Sequence, residues 1–297
     1  ECSSLSSISI PDSVNHIGEN AFAYCRALTG VTIPDSVTEI GRYAFSGCSS
    51  LKGITISSGI TSLTEGLFSY CVSLKGVTIP DNVTRIDNRV FSDCRSLTSI
   101  MIPDSVTSIG DNTFAGCNSL TSITIPDSVT VIGEGAFYGC SLLTSEVIGN
   151  SVTCIEFGLF YNCIGLTSVT IPDSVTQIRN NAFYGCSSLT SITIPDSVTE
   201  IGEGAFSYCE SLTSITIPDG VTSIGQGVFN GCEQLPPILF SIGKKILVRY
   251  SDTNVATEYS IPNTVTYIAS SAFGNCINLT SITIPANVTS IGSYAFE

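Results

Sequence analysis

A repeat solenoid is the fold class this sequence predicts, and three observations carry it. Cysteine recurs every 23 residues from Cys2 through Cys25 and Cys48 to Cys232. Twelve of the 14 phenylalanines share one phase of that period, from Phe22 and Phe45 to Phe273 and Phe296. Between them the unit C-x-x-L-x-x-I-x-I-P-D-S-V-T-x-I-G-x-x-A-F-x-x returns again and again. A fixed period in this range marks an array in which one unit cannot bury its apolar stripe alone and its neighbours cover it. The chain is therefore read as a single solenoid over 1–297, with about 12 rungs at this period.

Each piece of the unit has a local reason. In the copy at 189–209, Ile192-Thr193-Ile194 alternates in, out, in, the period-2 pattern of a short strand with one buried face. Pro195-Asp196 ends it, because proline pre-sets φ for a turn and lacks a ladder N–H, and aspartate closes an Asx-type bond. Val198-Thr199-Glu200-Ile201 is a second extended piece. Gly202 to Cys209 is too short for an ordinary helix and reads as a 3₁₀-like turn with Ala205, Phe206 and Cys209 inward. The strands of successive 23-residue units stack in parallel.

Three units depart from the pattern. Residues 48–70 carry Ser57-Ser58-Gly59 in place of the Pro-Asp-Ser turn. Residues 140–162 put Glu146 at an isoleucine phase and Gly149 at the proline phase. After Cys232 the next in-phase cysteine, Cys276, comes 44 residues later, two short of two periods. In that interval two apolar runs flank Gly243-Lys244, a hairpin signal. An irregular, longer rung over 236–262 is expected, with a protruding hairpin carrying Lys244, Lys245 and Arg249. It is either a partner site or an inert decoration.

Composition excludes several function classes. The net charge is −14 with only 11 Lys plus Arg, too few for the clustered basic footprint of a nucleic-acid binder. An anionic membrane surface is a poor partner for the same reason. No run approaches 18 apolar residues, so no membrane insertion is expected. Charged residues make up 12%, and Ser and Thr take their place on a hydroxyl-rich surface. His16 is the lone histidine, no CxxC pair or nucleophile motif exists, and neither enzyme activity nor a cofactor is expected. Turn chemistry accounts for the aligned carboxylates from Asp12 to Asp219; a calcium ladder would need more converging oxygens.

The 23-residue unit resembles the leucine-rich repeat, L-x-x-I-x-I matching its strand, and I-P-D-S-V-T-x-I-G-x-x-A-F-x-x-C is similar to its BspA-like class. That resemblance covers nearly the whole chain. It implies an extracellular or cell-surface location and a role in adhesion, with proteins or glycans at a cell or matrix surface as partners. It brings no catalytic residues. It also implies that the outward positions of the main strands are the binding surface: Thr32, Thr55, Thr78, Met101, Thr124, Thr170, Thr193 and Thr216.

Further candidates come from the residues themselves. Asn82, Asn278 and Asn287 open N-x-Thr glycosylation signals. Twelve of the 13 cysteines hold a buried-looking phase, so a ladder of thiols is expected, with disulfides as the alternative. Cys154 sits at a variable position and is the candidate exposed, reactive thiol. Finally, Ala295-Phe296-Glu297 would continue into Glu1-Cys2 without a change of phase. Either the chain is a window of a longer array, or it self-associates head to tail into a filament through Cys2, Leu5, Ala295 and Phe296.

Overall fold

The structure, a computed structural model, describes residues 2–251 and 257–297, and the backbone alone at Glu146 and Val147. It is a parallel β-solenoid of about 12 turns. The inward phases Leu, Ile, Val, Phe and Cys form one continuous core from Ile17 to Ala295. Each full rung contributes two short strands. The first is the Ile-Thr piece, as in Ser191–Thr193, paired in parallel and in register with Ser214–Thr216. The second is the x-Ile piece, as in Glu200–Ile201 between Gln177–Ile178 and Ser223–Ile224. All these registers advance by 23 residues, so identical side chains stack on one another.

The last arc of the rung holds the array together. In the copy at 202–209, the N–H groups of Gly204, Phe206 and Tyr208 donate to Gln226, Val228 and Asn230 of the next rung at 2.9, 3.0 and 2.6 Å. The intervening Ala205, Ser207 and Cys209 donate three residues back, to Gly202, Gly204 and Phe206. These are bonds of 3₁₀ spacing. Gly204 (φ +60°) and Tyr208 (φ +59°) are left-handed, so the turns stay separate and every second N–H faces the neighbour. Nine successive rungs repeat the same three bonds, from Asn20, Phe22 and Tyr24 onward.

Side chains reinforce this. The phenylalanine rings stack from Phe22 to Phe229 with centroids 5.1 to 6.1 Å apart. Such pairs add about 0.5–1.5 kcal/mol each beyond the area they bury. The described cysteines are free thiols, buried from Cys25 to Cys232 apart from half-buried Cys154. Each donates its S–H to the phenylalanine carbonyl of the rung below, as Cys186 Sγ does to Phe160 O at 3.2 Å. Burial pushes the Cys48 thiol up to about 12, so it packs as a small hydrophobe.

At the irregular rung the structure corrects the expectation of a longer, protruding unit. Ile238–Phe240 pairs antiparallel with Ile246–Tyr250, closed by Lys244 at φ +57°. Only the tip around Ile242 to Lys245 is exposed; Leu239, Ile246, Leu247, Val248 and Tyr250 are buried in the core. The rung is shortened. Leu247 pairs with Ile268 at the regular register, but the aromatic Tyr250 follows after three residues, where Phe229 follows Ile224 after five. Two residues are cut from the arc, which accounts for the slip before Cys276. Residues 252–256 of this rung lie outside the described residues.

Candidate binding surfaces

The first surface is the outward face of the Ile-Thr strands. Thr32, Thr55, Thr124, Thr170, Thr193 and Thr216 are exposed on those strands, one above the other. The ladder is less regular than the pattern implied. Thr78 joins Thr55 only through an isolated bridge, and Met101, 82% exposed, lies outside any strand, so the hydrogen-bonded sheet is interrupted there.

Two residues before each of those threonines the face changes character along the array. Rungs from Ser99 to Ser214 carry serine, whereas the early ones carry Gly30, Gly53 and Gly76. A Cβ built on Gly53 or Gly76 would meet nothing within 4 Å, and on Gly30 only the Gly53 carbonyl oxygen at 3.8 Å. The fold does not require these glycines. Glycine in a strand costs stability and often marks close approach by another molecule. Lys52 and Lys75 immediately precede Gly53 and Gly76 on adjacent rungs, exposed and without an ion pair among the described residues. Seven of the 11 basic residues fall between Arg26 and Arg95. Most of the arginines there are matched to acids: Arg42 and Arg89 share Glu65 at 3.6 and 3.8 Å, and Arg85 meets Asp87 at 2.6 Å. The two lysines are the uncommitted cations of the early face. Sequence periodicity drew attention to the threonines; comparing the serine phase across rungs would have found the glycine track.

The second surface is the irregular rung, where the three basic residues are separated. Lys244 and Lys245 sit exposed at the hairpin tip. Arg249 turns the other way, half-buried, and its guanidinium donates to the Cys232 carbonyl at 2.7 Å. Beside it opens a cleft of about 790 Å³ between the arc at 226–233 and the segments at 248–251 and 270–275. Asp219 secures the hairpin by accepting hydrogen bonds from the Ser241 hydroxyl and the Gly243 N–H. Those bonds, with Lys245 nearby, hold its carboxyl below the usual range.

The aligned aspartates have a defined use here. Asp35 accepts from the N–H and hydroxyl of Ser58, Asp127 from the N–H and side chain of Asn150, and Asp219 from Gly243. In each case the following rung has lost its Pro-Asp turn, and the carboxylate of the rung below staples the irregular one. Among the described residues no group of three His, Cys, Asp or Glu is placed to hold a metal.

The remaining candidates are placed as follows. Asn82 and Asn287 are exposed, but each spends its amide N–H on a carbonyl of the preceding rung, Ser58 and Asn263; Asn278 is exposed. Cys154 is half-buried, not exposed, because it lies between neighbouring rungs beside Glu156 and Arg179. Burial and then Glu156 raise its thiol to about 11, which lowers its thiolate fraction and its reactivity. Cys2 is exposed, Leu5 half-buried, Ala295 buried, and Phe296 47% exposed with its ring stacked on Phe273 at 5.0 Å. No described helix is long and apolar enough to cross a membrane.

Comparison with known proteins agrees with this geometry. The BspA type leucine rich repeat region matches residues 1–121, 107–236 and 242–297, in six copies. A leucine-rich repeat protein of Bacteroides ovatus is 32% identical, over 78% of this chain and 72% of its own, with a TM-score of 0.61. A leucine rich cell surface protein of Faecalibacterium prausnitzii is 34% identical, over 91% of this chain and 83% of its own, with a TM-score of 0.57. A pneumococcal vaccine antigen shares the fold at 21% identity, over 94% of this chain and 71% of its own, with a TM-score of 0.52. None of the curated proteins searched matches. With repeat, register and matched residues in agreement, the chain belongs to the BspA-type leucine-rich repeat family.

Proposed function

We propose that the chain is a cell-surface or secreted recognition module that holds a protein or glycan on the outward face of its Ile-Thr strands. The observation that carries this reading is the track of Gly30, Gly53 and Gly76 beside Lys52 and Lys75. There a long hydroxyl face is bared to its backbone for no reason of the fold and given two uncommitted cations. Threonine hydroxyls supply donors and acceptors, the bare backbone lets a partner approach closely, and the lysines favour anionic groups such as the carboxylates or sulfates of a glycan. Family membership supports surface recognition in general, and the described cell-surface neighbour supports the location.

The test uses the open space above the glycines. Gly53→Trp and Gly76→Trp should fold as the wild type does, since nothing meets the new side chain. They should reduce binding to immobilised mucin glycoproteins or matrix proteins at least tenfold, that is by about 1.4 kcal/mol or more. Binding that survives both substitutions at full strength would place recognition elsewhere.

A further inference from the structure

The shortened rung leaves a set of backbone groups that every regular rung uses. In nine rungs, three alternate N–H groups of the arc donate to the polypeptide of the next rung. In the tenth, the corresponding N–H groups of Gly227, Phe229 and Gly231 have no acceptor among the described residues. The cause is the missing pair of residues: from Leu247 the chain runs straight to Tyr250, with no arc to lie against 226–231. On the far side, Ala272 O accepts from Tyr250 N–H at 2.6 Å, but the carbonyls of Ser270 and Gly274, which in regular rungs would accept too, receive no backbone N–H. All five residues that bear these open groups line the 790 Å³ cleft. Donors therefore stand on one wall and acceptors on the other, at alternate residues.

We propose that this cleft is a binding site for an extended peptide segment of a partner protein, separate from the strand face. A polypeptide is the occupant these walls are spaced for, because a polypeptide arc fills the same place in nine other rungs. Peptide carbonyls accept from Gly227, Phe229 and Gly231, and peptide N–H groups donate to Ser270 and Gly274, an addition of main chain to an open edge. Arg249 adds selectivity. Its guanidinium lines the cleft, one N–H is spent on Cys232, and it forms no ion pair among the described residues, which suits a carboxylate of the peptide. Glu233 and Glu297 also line the cleft and oppose a second negative charge, so a segment with one carboxylate is preferred.

Residue-resolved amide hydrogen exchange on the full chain, free and with ligand, tests this. In the free protein Gly227, Phe229 and Gly231 should exchange about tenfold or more faster than Gly204, Phe206 and Tyr208. Protection equal to that of the regular arc would mean the chain fills its own cleft, and the proposal falls. A random hexapeptide library, with free and with amidated carboxy termini, is then selected against the wild type. Recovered peptides should carry one carboxylate, slow exchange at those three amides, and lose affinity at least tenfold to Asn230→Trp, whose new side chain occupies the cleft mouth. Arg249→Met should abolish the preference for the carboxylate while leaving peptide binding measurable. Equal recovery of amidated and free termini assigns that carboxylate to a side chain, and loss on amidation assigns it to the terminus; either fits. Recovery of no peptide, or protection of the three amides by oligogalacturonate alone, overturns the assignment.

Discussion

Phe137 shows what a single residue does in such an array. Fully buried, it stacks on Phe114 and Phe160 at 5.5 Å on both sides, and its N–H donates to Leu159 of the next rung. Phe137→Ala is expected to cost about 3–5 kcal/mol, read from denaturant unfolding, because stacked neighbours held by backbone bonds cannot collapse into the gap. Positions of this kind were legible in the sequence, since burial imposes residue type at a fixed phase. The left-handed positions were not. Tyr43, Arg89, Asn112 and Gly135 all occupy one phase with φ between +53° and +59°, and no residue type repeats there. The backbone bonds to the next rung set that conformation whatever the side chain. Gly41 was legible for another reason: a Cβ on it would collide with the backbone nitrogen of Glu19, so rungs that come this close there need glycine.

At the scale of the element, the irregular hairpin depends on one carboxylate from the rung below. Asp219→Ala removes acceptors for Ser241 and Gly243 and should cost about 1–2 kcal/mol after allowance for solvent. Asp104→Ala should stay within about 0.5 kcal/mol, because the rung above Asp104 keeps its own Pro126-Asp127 turn. Thermal denaturation of the two variants checks the contrast. The pH dependence has a definite sign. Asp219 is held below its usual range in the folded chain, so its contribution is complete above the unfolded value near pH 3.9 and is lost as pH falls through the lower folded value. Sequence reasoning found the hairpin signal in Gly243-Lys244 but misjudged the unit's length, because deletion of two residues from an arc and insertion of a loop both break the phase. Only the pairing of Leu247 with Ile268 shows which side of the break kept register. The target of the aspartates was hidden for a related reason: they bond across rungs, 22 to 24 residues away.

Across the whole molecule, repetition separates stability from recognition. The core, the stacked rings and the arc bonds are the same in nearly every rung and carry the fold, as the period alone foretold. Recognition belongs to positions where repetition lapses without damage: the glycine track with its two lysines, and the cut arc beside Arg249. Neither shows in a consensus unit, because each is a departure confined to a few rungs. Net charge of −14 is spread unevenly, with the early rungs near neutrality, so an anionic partner meets least repulsion at the end where the glycines lie.

Met101 gives the most direct measurement of the central claim. It is the only methionine in the chain, 82% exposed, and stands at the threonine phase of the proposed face, one rung beyond Thr78. Peroxide converts an exposed methionine to its sulfoxide, and peptide mass mapping reads that site alone. With the mucin or matrix ligand bound, sulfoxide formation at Met101 should slow several-fold, while oxidation of exposed Cys2 at the chain's start proceeds unchanged. An unchanged rate at Met101 under saturating ligand would contradict recognition by this face.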